Sequence, residues 1–331
     1  MIIDSRGFDP STVDVVVPAP GPGPGNWSGA PSVVLLDGAF WFAWRERRPL
    51  NAGRGVAVVI ARSVDGVRLE PVARIERELF GAESLQRPAL VPLPHDGWRI
   101  YLSCATTGSK HWWIDSLTAP TPEQLPTGER ATVLPGEVAT GVKDPVVWRE
   151  DVPSRDPAER WRMFVCCHPL ADAGEEDRMT TRLATSGDGL RWRDRGEVLR
   201  GTPGSWDARG ARITAVLPGT AVLPGAAVLP GPAVSPGTAG SAAGAGDGVG
   251  MPAVLYDGRP DAASNWCETT GLACWDGYRY RPVPGRRWRS PHSDGAVRYA
   301  CVVALPGGPL RWYAEMARPD GAHDLISWIS R

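Results

Sequence analysis

Several common signals are missing from this 331-residue chain. No run of 18 apolar residues occurs, so no membrane span is expected. The opening Met1-Ile2-Ile3-Asp4-Ser5-Arg6 is neither a basic leader nor followed by an apolar stretch, and a soluble cytoplasmic protein is the expectation. Charge of one sign is lacking too: 36 Lys and Arg stand against 37 Asp and Glu, a net charge of −1, which argues against nucleic acid or a membrane surface as partner. The six cysteines (104, 166, 167, 267, 274, 301) show no CxxC or Cys/His zinc spacing and sit mostly in apolar, strand-like settings, so they read as reduced core thiols. A Walker loop, a dinucleotide fingerprint and HExxH are all absent, and no cofactor is expected.

What the chain has is repetition. Gly141-Val142-Lys143-Asp144-Pro145-Val146-Val147-Trp148 places a charged pair and a proline in front of a short apolar strand, where the missing proline N–H forfeits no ladder bond. Pro31, Pro88 and Pro145 are spaced 57 residues apart, and each opens the same unit: a turn and an aromatic strand follow, at Phe40–Trp44, Trp98–Leu102 and Trp161–Val165. A second element recurs at varying distance as Val59–Gly66, Arg182–Gly189 and Gly271–Gly277, each ending in the Asp-Gly of a hairpin turn. Repeated strands and turns at a fixed period indicate an all-β five-bladed β-propeller.

Taken in order, the blades are expected at about 30–75, 87–135, 144–200, 207–284 and from 296 on, within one domain spanning 1–331. Only three strands remain for the last blade: Val297–Leu305, Leu310–Met316 and Leu325–Ile329. The isolated strand at 12–17 is the natural fourth, closing the ring without open edges. Between the first two strands of blade 4, about residues 217–250, Val-Leu-Pro-Gly repeats degrade into Gly, Ala and Ser. That composition is too poor in bulky residues to bury a core and reads as a disordered insertion.

In a four-stranded antiparallel blade, the start of the first strand, the end of the second and the start of the third emerge on one face. Polar residues at those points converge on the axis and make a polar-ligand pocket the expectation. Binding candidates are Trp27, Arg45, Arg87, His111, Lys143, His168, Arg178, Arg209, Asp257, Arg259 and His292; Asp144 is read as the first polar residue at the mouth. Lys110-His111-Trp112-Trp113 reads either as a stacking surface for a sugar ring or as alternate in-and-out packing of a third strand.

The Lys143-Asp144-Pro145 opening, the Leu183–Gly189 element and Trp206-Asp207 leading into an inner strand resemble the five-bladed propeller glycoside hydrolases. That group holds arabinofuranosidases, xylosidases, invertase-like fructosidases and mannoside phosphorylases. The resemblance spans nearly the whole chain outside the insertion. It implies that Asp144 stabilises the transition state or tunes a neighbouring group, that His292 is an axial histidine, and that a lone Ca²⁺ lies near His292. Two departures stand out. Ala30 precedes Pro31 where the group carries its base or nucleophile aspartate, and the general acid has no plain counterpart. Glu83, Asp207 and Glu268 compete for acid and base duties, which glycoside hydrolysis divides between two carboxyl groups about 5 Å apart for retention and about 6.5 to 9.5 Å for inversion.

The expected function is therefore a carbohydrate-active enzyme acting on a glycosidic bond of a small-molecule or oligosaccharide ligand. Arginines at the expected mouth (Arg45, Arg87, Arg178, Arg209, Arg259) point to negative charge on the ligand or on an attacking co-substrate: a uronic acid, a sugar phosphate or inorganic phosphate. The alternatives are a propeller that only binds a glycan or an anionic metabolite, and a biosynthetic enzyme that reuses the pocket.

Overall fold

The computed structural model describes residues 8–95, 97–150, 156–218 and 251–330. It is all-β, with twenty strands among the described residues and only short 3₁₀ turns besides. The expected insertion falls almost wholly outside the described residues. Strand β1 (Asp14–Val17) is followed by four antiparallel meanders of four strands each. The first comprises β2 (Trp27–Leu36), β3 (Ala39–Arg47), β4 (Gly55–Ser63) and β5 (Glu70–Glu76). The second comprises β6 (Ser84–Pro92), β7 (Trp98–Ala105), β8 (Trp112–Ala119) and β9 (Glu129–Leu134). The third comprises β10 (Thr140–Arg149), β11 (Trp161–Pro169), β12 (Thr180–Ser186) and β13 (Arg193–Arg200). The fourth comprises β14 (Gly210–Val216), β15 (Val254–Arg259), β16 (Thr269–Trp275) and β17 (Tyr280–Trp288). The chain then ends in β18 (Val297–Ala304), β19 (Leu310–Ala317) and β20 (His323–Ser330), and β1 pairs antiparallel beside β20 with Asp14 opposite Ser327.

The Asp-Gly elements are turns, as expected. Asp65, Asp188 and Asp276 each accept two backbone N–H bonds from the residues two and three positions on, at 2.8–2.9 Å. The glycine that follows each adopts positive φ, +76°, +72° and +102°. Two of these turns also tie neighbouring sets together: Tyr101 donates to the Gly189 carbonyl and Tyr313 to that of Gly66.

The core is divided into five apolar clusters, each filling the gap between consecutive sets, and the fifth joins the last set to the first through Phe40, Phe42, Trp44, Val303, Tyr313 and Leu325. Single parallel pairings, Trp27 with His323 and Thr269 with Val297, stitch sets at one end. The first strands of the sets, β2, β6, β10, β14 and β18, pack side by side in that order, and β18 returns to β2. Each of the five carries a register shift at the same level, between Gly29 and Ser32, Leu85 and Pro88, Lys143 and Val146, Ile213 and Ala215, and Arg298 and Cys301. At three of these bulges a non-glycine residue is held at positive φ: Ala30 (+52°), Asp144 (+55°) and Tyr299 (+54°). Strained backbone of this kind persists only where the surrounding structure enforces it, and it gathers at functional sites.

Candidate functional site

Ahead of the bulges, the inner strands and the loops beside them enclose a polar cavity of about 470 Å³. Its lining includes Trp27, Gln86, Lys143, Arg212, Arg298 and Tyr299 from the inner strands, joined by Arg47, His168, Arg259 and Glu268. Beneath and within it runs a buried ion network. Arg298 bridges Glu268 (2.6 Å) and Glu315 (2.7 Å), Arg45 also holds Glu315 (2.7 Å), and Arg212 bridges Asp144 (2.9 Å) and Asp257 (2.8 Å). Arg259 adds a third guanidinium to Glu268 at 3.2 Å, after the 3.6 Å approach of Arg212. A charge removed from water on this scale is tolerable only when paired and hydrogen-bonded. The pairing is sterically tight as well: a Cβ on Gly29 would stand 2.1 Å from Glu315 Oε2.

The network fixes protonation. Burial alone would raise the Glu268 carboxyl, but the guanidinium charges of Arg298, Arg212 and Arg259 outweigh it and hold it well below the usual carboxylate range. Glu315 is held low in the same way, against its burial, by Arg298, Arg45 and His323. Asp257 goes the other way: burial raises it despite Arg212. Burial, reinforced by the charge of Lys143, lowers His168 to about 3, so its ring is neutral at pH 7. Lys143 is lowered by burial, with Asp144 opposing.

Three cations of the lining, Lys110, Lys143 and Arg47, have no carboxylate at ion-pair distance among the described residues. Lys143 extends its Nζ over the Trp112 ring (5.3 Å), and Arg47 stacks its guanidinium on Trp27 at 3.9 Å and donates to the Gly25 carbonyl. Trp266, half-exposed and at φ +79°, stands on the other side of Arg47 at 5.3 Å, edge-on to Trp27. The Trp27 ring is itself covered, by Arg47 and by His323 stacked at 4.6 Å, so the cavity presents the Trp266 ring and a net excess of cationic donors.

The expected site residues divide into those the fold gathers and those it does not. Trp27, Lys143, His168, Arg259 and Glu268 line the cavity. Asp144, Arg45 and Asp257 belong to the network but lie beneath the floor, each fully buried, which corrects the expectation that Asp144 stands at the mouth. Its carboxylate turns down toward Arg212 because the bulge at Asp144 re-aims the side chain. Glu83 sits outside the lining, at the edge, paired with Arg54 (3.5 Å) and accepting from the Gly108 N–H. Asp207 is a buried staple that accepts from Tyr256 Oη (3.1 Å) and the Thr202 N–H (3.2 Å), far from any role as acid or base in this cavity.

Arg178 and Arg209 are drawn off by the acidic loop before β12, Arg178 to Glu175 and Arg209 to Asp177 at 2.7 Å, and His111 is bonded to Thr106. His292 is exposed in a turn, its N–H on Ser290 Oγ and its carbonyl accepting from Gly295, and does not reach the cavity lining. Among the described residues no group of three or more His, Cys, Asp and Glu side chains is arranged to hold a metal ion. Arg87 lines a different cavity, at the other end of the axis. In the Lys110–Trp113 stretch the side chains alternate as in-and-out packing requires: Lys110 and Trp112 line the cavity, whereas Trp113 packs against the core between the first and second sets.

Sequence reading missed Gln86, Arg54, Arg298, Tyr299 and Trp266. Arg298-Tyr299 is the counterpart of Lys143-Asp144 on the fifth inner strand, but Ala300 stands where the first three carry proline, so the 57-residue signal is absent there.

With that geometry in view, comparison with solved structures places the fold. The chain is similar to a thermostable family-43 glycoside hydrolase (TM-score 0.63, 12% identity, covering 95% of this chain and 92% of that one). It is likewise similar to a glycosyl hydrolase from Bacteroides ovatus (0.61, 13%, 98% and 93%) and to a β-1,2-mannobiose phosphorylase from Listeria innocua in complex with β-1,2-mannobiose (0.55, 13%, 91% and 89%). The fold is that of the propeller glycoside hydrolases and phosphorylases, the group that the Asp-Pro and Asp-Gly elements resemble. No family model and no curated protein matches the sequence. No helix of the described chain is long and apolar enough to cross a membrane.

Proposed function

We propose that the five strand sets are the blades of a single closed propeller domain, with β1 completing the last blade, and that its polar cavity takes a carbohydrate together with negative charge. The chain is then a carbohydrate-active enzyme that works on a glycosidic bond, with the anion supplied by inorganic phosphate, a sugar phosphate or a uronic acid. One observation carries this reading: every carboxylate of the network is bonded to arginine, whereas Lys110, Lys143 and Arg47 line the cavity with no carboxylate at ion-pair distance among the described residues. Trp266, half-exposed in the cavity lining, supplies an apolar face on which a sugar ring can stack.

The pattern of carboxylates favours an anionic co-substrate over water as the attacking group. Hydrolysis divides its proton transfers between two carboxyl groups. Here Ala30 repeats the positive φ of Asp144 on the first inner strand but brings no carboxylate, and Glu268 is held ionised and cannot donate a proton at neutral pH. Phosphate needs no general base: as H₂PO₄⁻, one of its oxygens bonds to the anomeric carbon while the glycosidic C–O bond breaks, and its own proton passes to the leaving oxygen. A second reading, a binding protein without turnover, is favoured by the same arginine pairing of Glu268 and Glu315.

The test is a screen of aryl glycosides and disaccharides with and without phosphate, analysed for sugar phosphate. Phosphate-dependent release supports the enzyme reading, and release that is independent of phosphate shows a hydrolase. Saturable binding of anionic sugars with no turnover of any substrate leaves the binding protein. Indifference to every anionic and neutral sugar sinks the proposal.

A further inference from the structure

Beyond the bulges, the same five inner strands enclose a second cavity, of about 600 Å³, that plays no part in the reading above. That volume falls within the range of small-molecule sites, about 300 to 1,000 Å³. Its walls are apolar, with Val33, Leu90, Val146, Trp148 and Val302 among them. The hydroxyls that line it are already engaged: Ser32 accepts from the Leu90 N–H and Thr214 donates to the Leu255 carbonyl. A ligand rich in hydroxyls would find few partners there.

Besides Asp37, which is exposed, and Arg149, half-buried over the Trp161 ring at 6.0 Å, one charged residue lines it: Arg87. Its side chain lines the cavity and is only 3% exposed. Nη2 makes one long bond, 3.5 Å, to the Pro31 carbonyl, and Nε and Nη1 have no partner. Asp144 and Asp257, whose charges reach it, are both bonded to Arg212. A buried guanidinium with idle donors is costly, and proteins hold such groups in place for a counter-ion. The one buried cation with idle donors suits one negative charge on an otherwise apolar molecule.

We propose that this cavity binds an amphiphilic carboxylate, with its headgroup on Arg87 and its hydrocarbon chain along the apolar walls. Decanoate, decanol and acetate separate the contributions of head and chain when titrated into the full chain by calorimetry and by tryptophan fluorescence, since Trp148 and Trp161 line the cavity. Decanoate should bind saturably, one per chain, and decanol and acetate should each bind at least about tenfold more weakly, as expected for the loss of a charge-assisted hydrogen bond or of the apolar contacts. Arg87→Met should weaken decanoate at least about tenfold and raise the melting temperature of the unliganded protein, because it removes an unpaired buried charge. Arg87→Lys keeps the charge and should retain part of the affinity, which keeps the test decisive if the methionine variant folds poorly. Decanol binding as tightly as decanoate, acetate binding as tightly as decanoate, an Arg87→Met protein with unchanged decanoate affinity, or no saturable binding at all would each overturn the proposal.

Discussion

The two ends of the axis are built from the same five strands and could hardly differ more. Ahead of the bulges, Gln86, Lys143, Arg212 and Arg298 converge with Arg47, Arg259 and Glu268 in a charged, hydrogen-bonded cavity; beyond them, Val33, Leu90, Val146 and Val302 line an apolar one that contains a lone buried guanidinium. The register shift in each strand marks the change. An extra residue there interrupts the alternation of faces, so one strand aims a polar side chain at the axis on one side and apolar ones on the other. The contrast teaches that an arginine's worth in this molecule is set by its partners and not by its burial.

The sharpest way to break that comparison is to make one substitution at both ends. Arg298→Met leaves Glu268 and Glu315 each short of a guanidinium and should destabilise the fold by about 3 to 5 kcal/mol in chemical denaturation. Arg87→Met should stabilise it. Equal losses at the two positions would mean that Arg87 has a partner role that its geometry does not reveal. A smaller effect is expected from Asp144→Asn: Arg212 loses one carboxylate charge but keeps Asp257, so stability should fall by about 1.5 to 3 kcal/mol. An Asp144→Asn protein of unchanged stability that has lost turnover would return Asp144 to direct chemistry.

The pH dependence should also follow the polar end. His168 and His323 are lowered from 6.5 in the folded state, chiefly by burial, so below pH 6.5 the unfolded chain binds protons that the folded chain does not. Stability should therefore decline as pH falls below 6.5, by at most about 1.4 kcal/mol per pH unit for each histidine, before the depressed Glu268 and Glu315 add their own losses below the ordinary carboxylate value of 4.5. Thermal melts of His168→Gln between pH 7 and 5 should show a shallower slope than the parent, and an identical slope would remove His168 from the account.

Much of the fold was legible because local chemistry repeats. Pro31, Pro88 and Pro145 mark three of the five bulges, and the Asp-Gly pairs at 65, 188 and 276 are turns held by the aspartate side chain. The other two inner strands carry Thr214 and Ala300 where the proline would fall, and the signal fails there. Site residues were harder to read because sequence gives a side chain's neighbourhood but not its partner. Asp207 is claimed by Tyr256, 49 positions away, and Arg209 by Asp177, 32 positions back. Arg87 occupies the place in its unit that Asp144 occupies in the next, yet it lines the opposite cavity.

The central claim is that the polar cavity is built for negative charge, and a calorimetric titration with inorganic phosphate and with glucuronate against glucose, at low and high salt, tests it most directly. The anions should bind and glucose should bind at least about tenfold more weakly; added salt should weaken the anions, and Lys143→Met should weaken them by about tenfold. Their affinity should also fall as pH rises, because burial lowers Lys143 from its ordinary value, and burial with the charges of Arg45 and Arg298 lowers Arg47 to about 9. Glucose binding as tightly as glucuronate, or anion affinity unchanged in Lys143→Met, would contradict it.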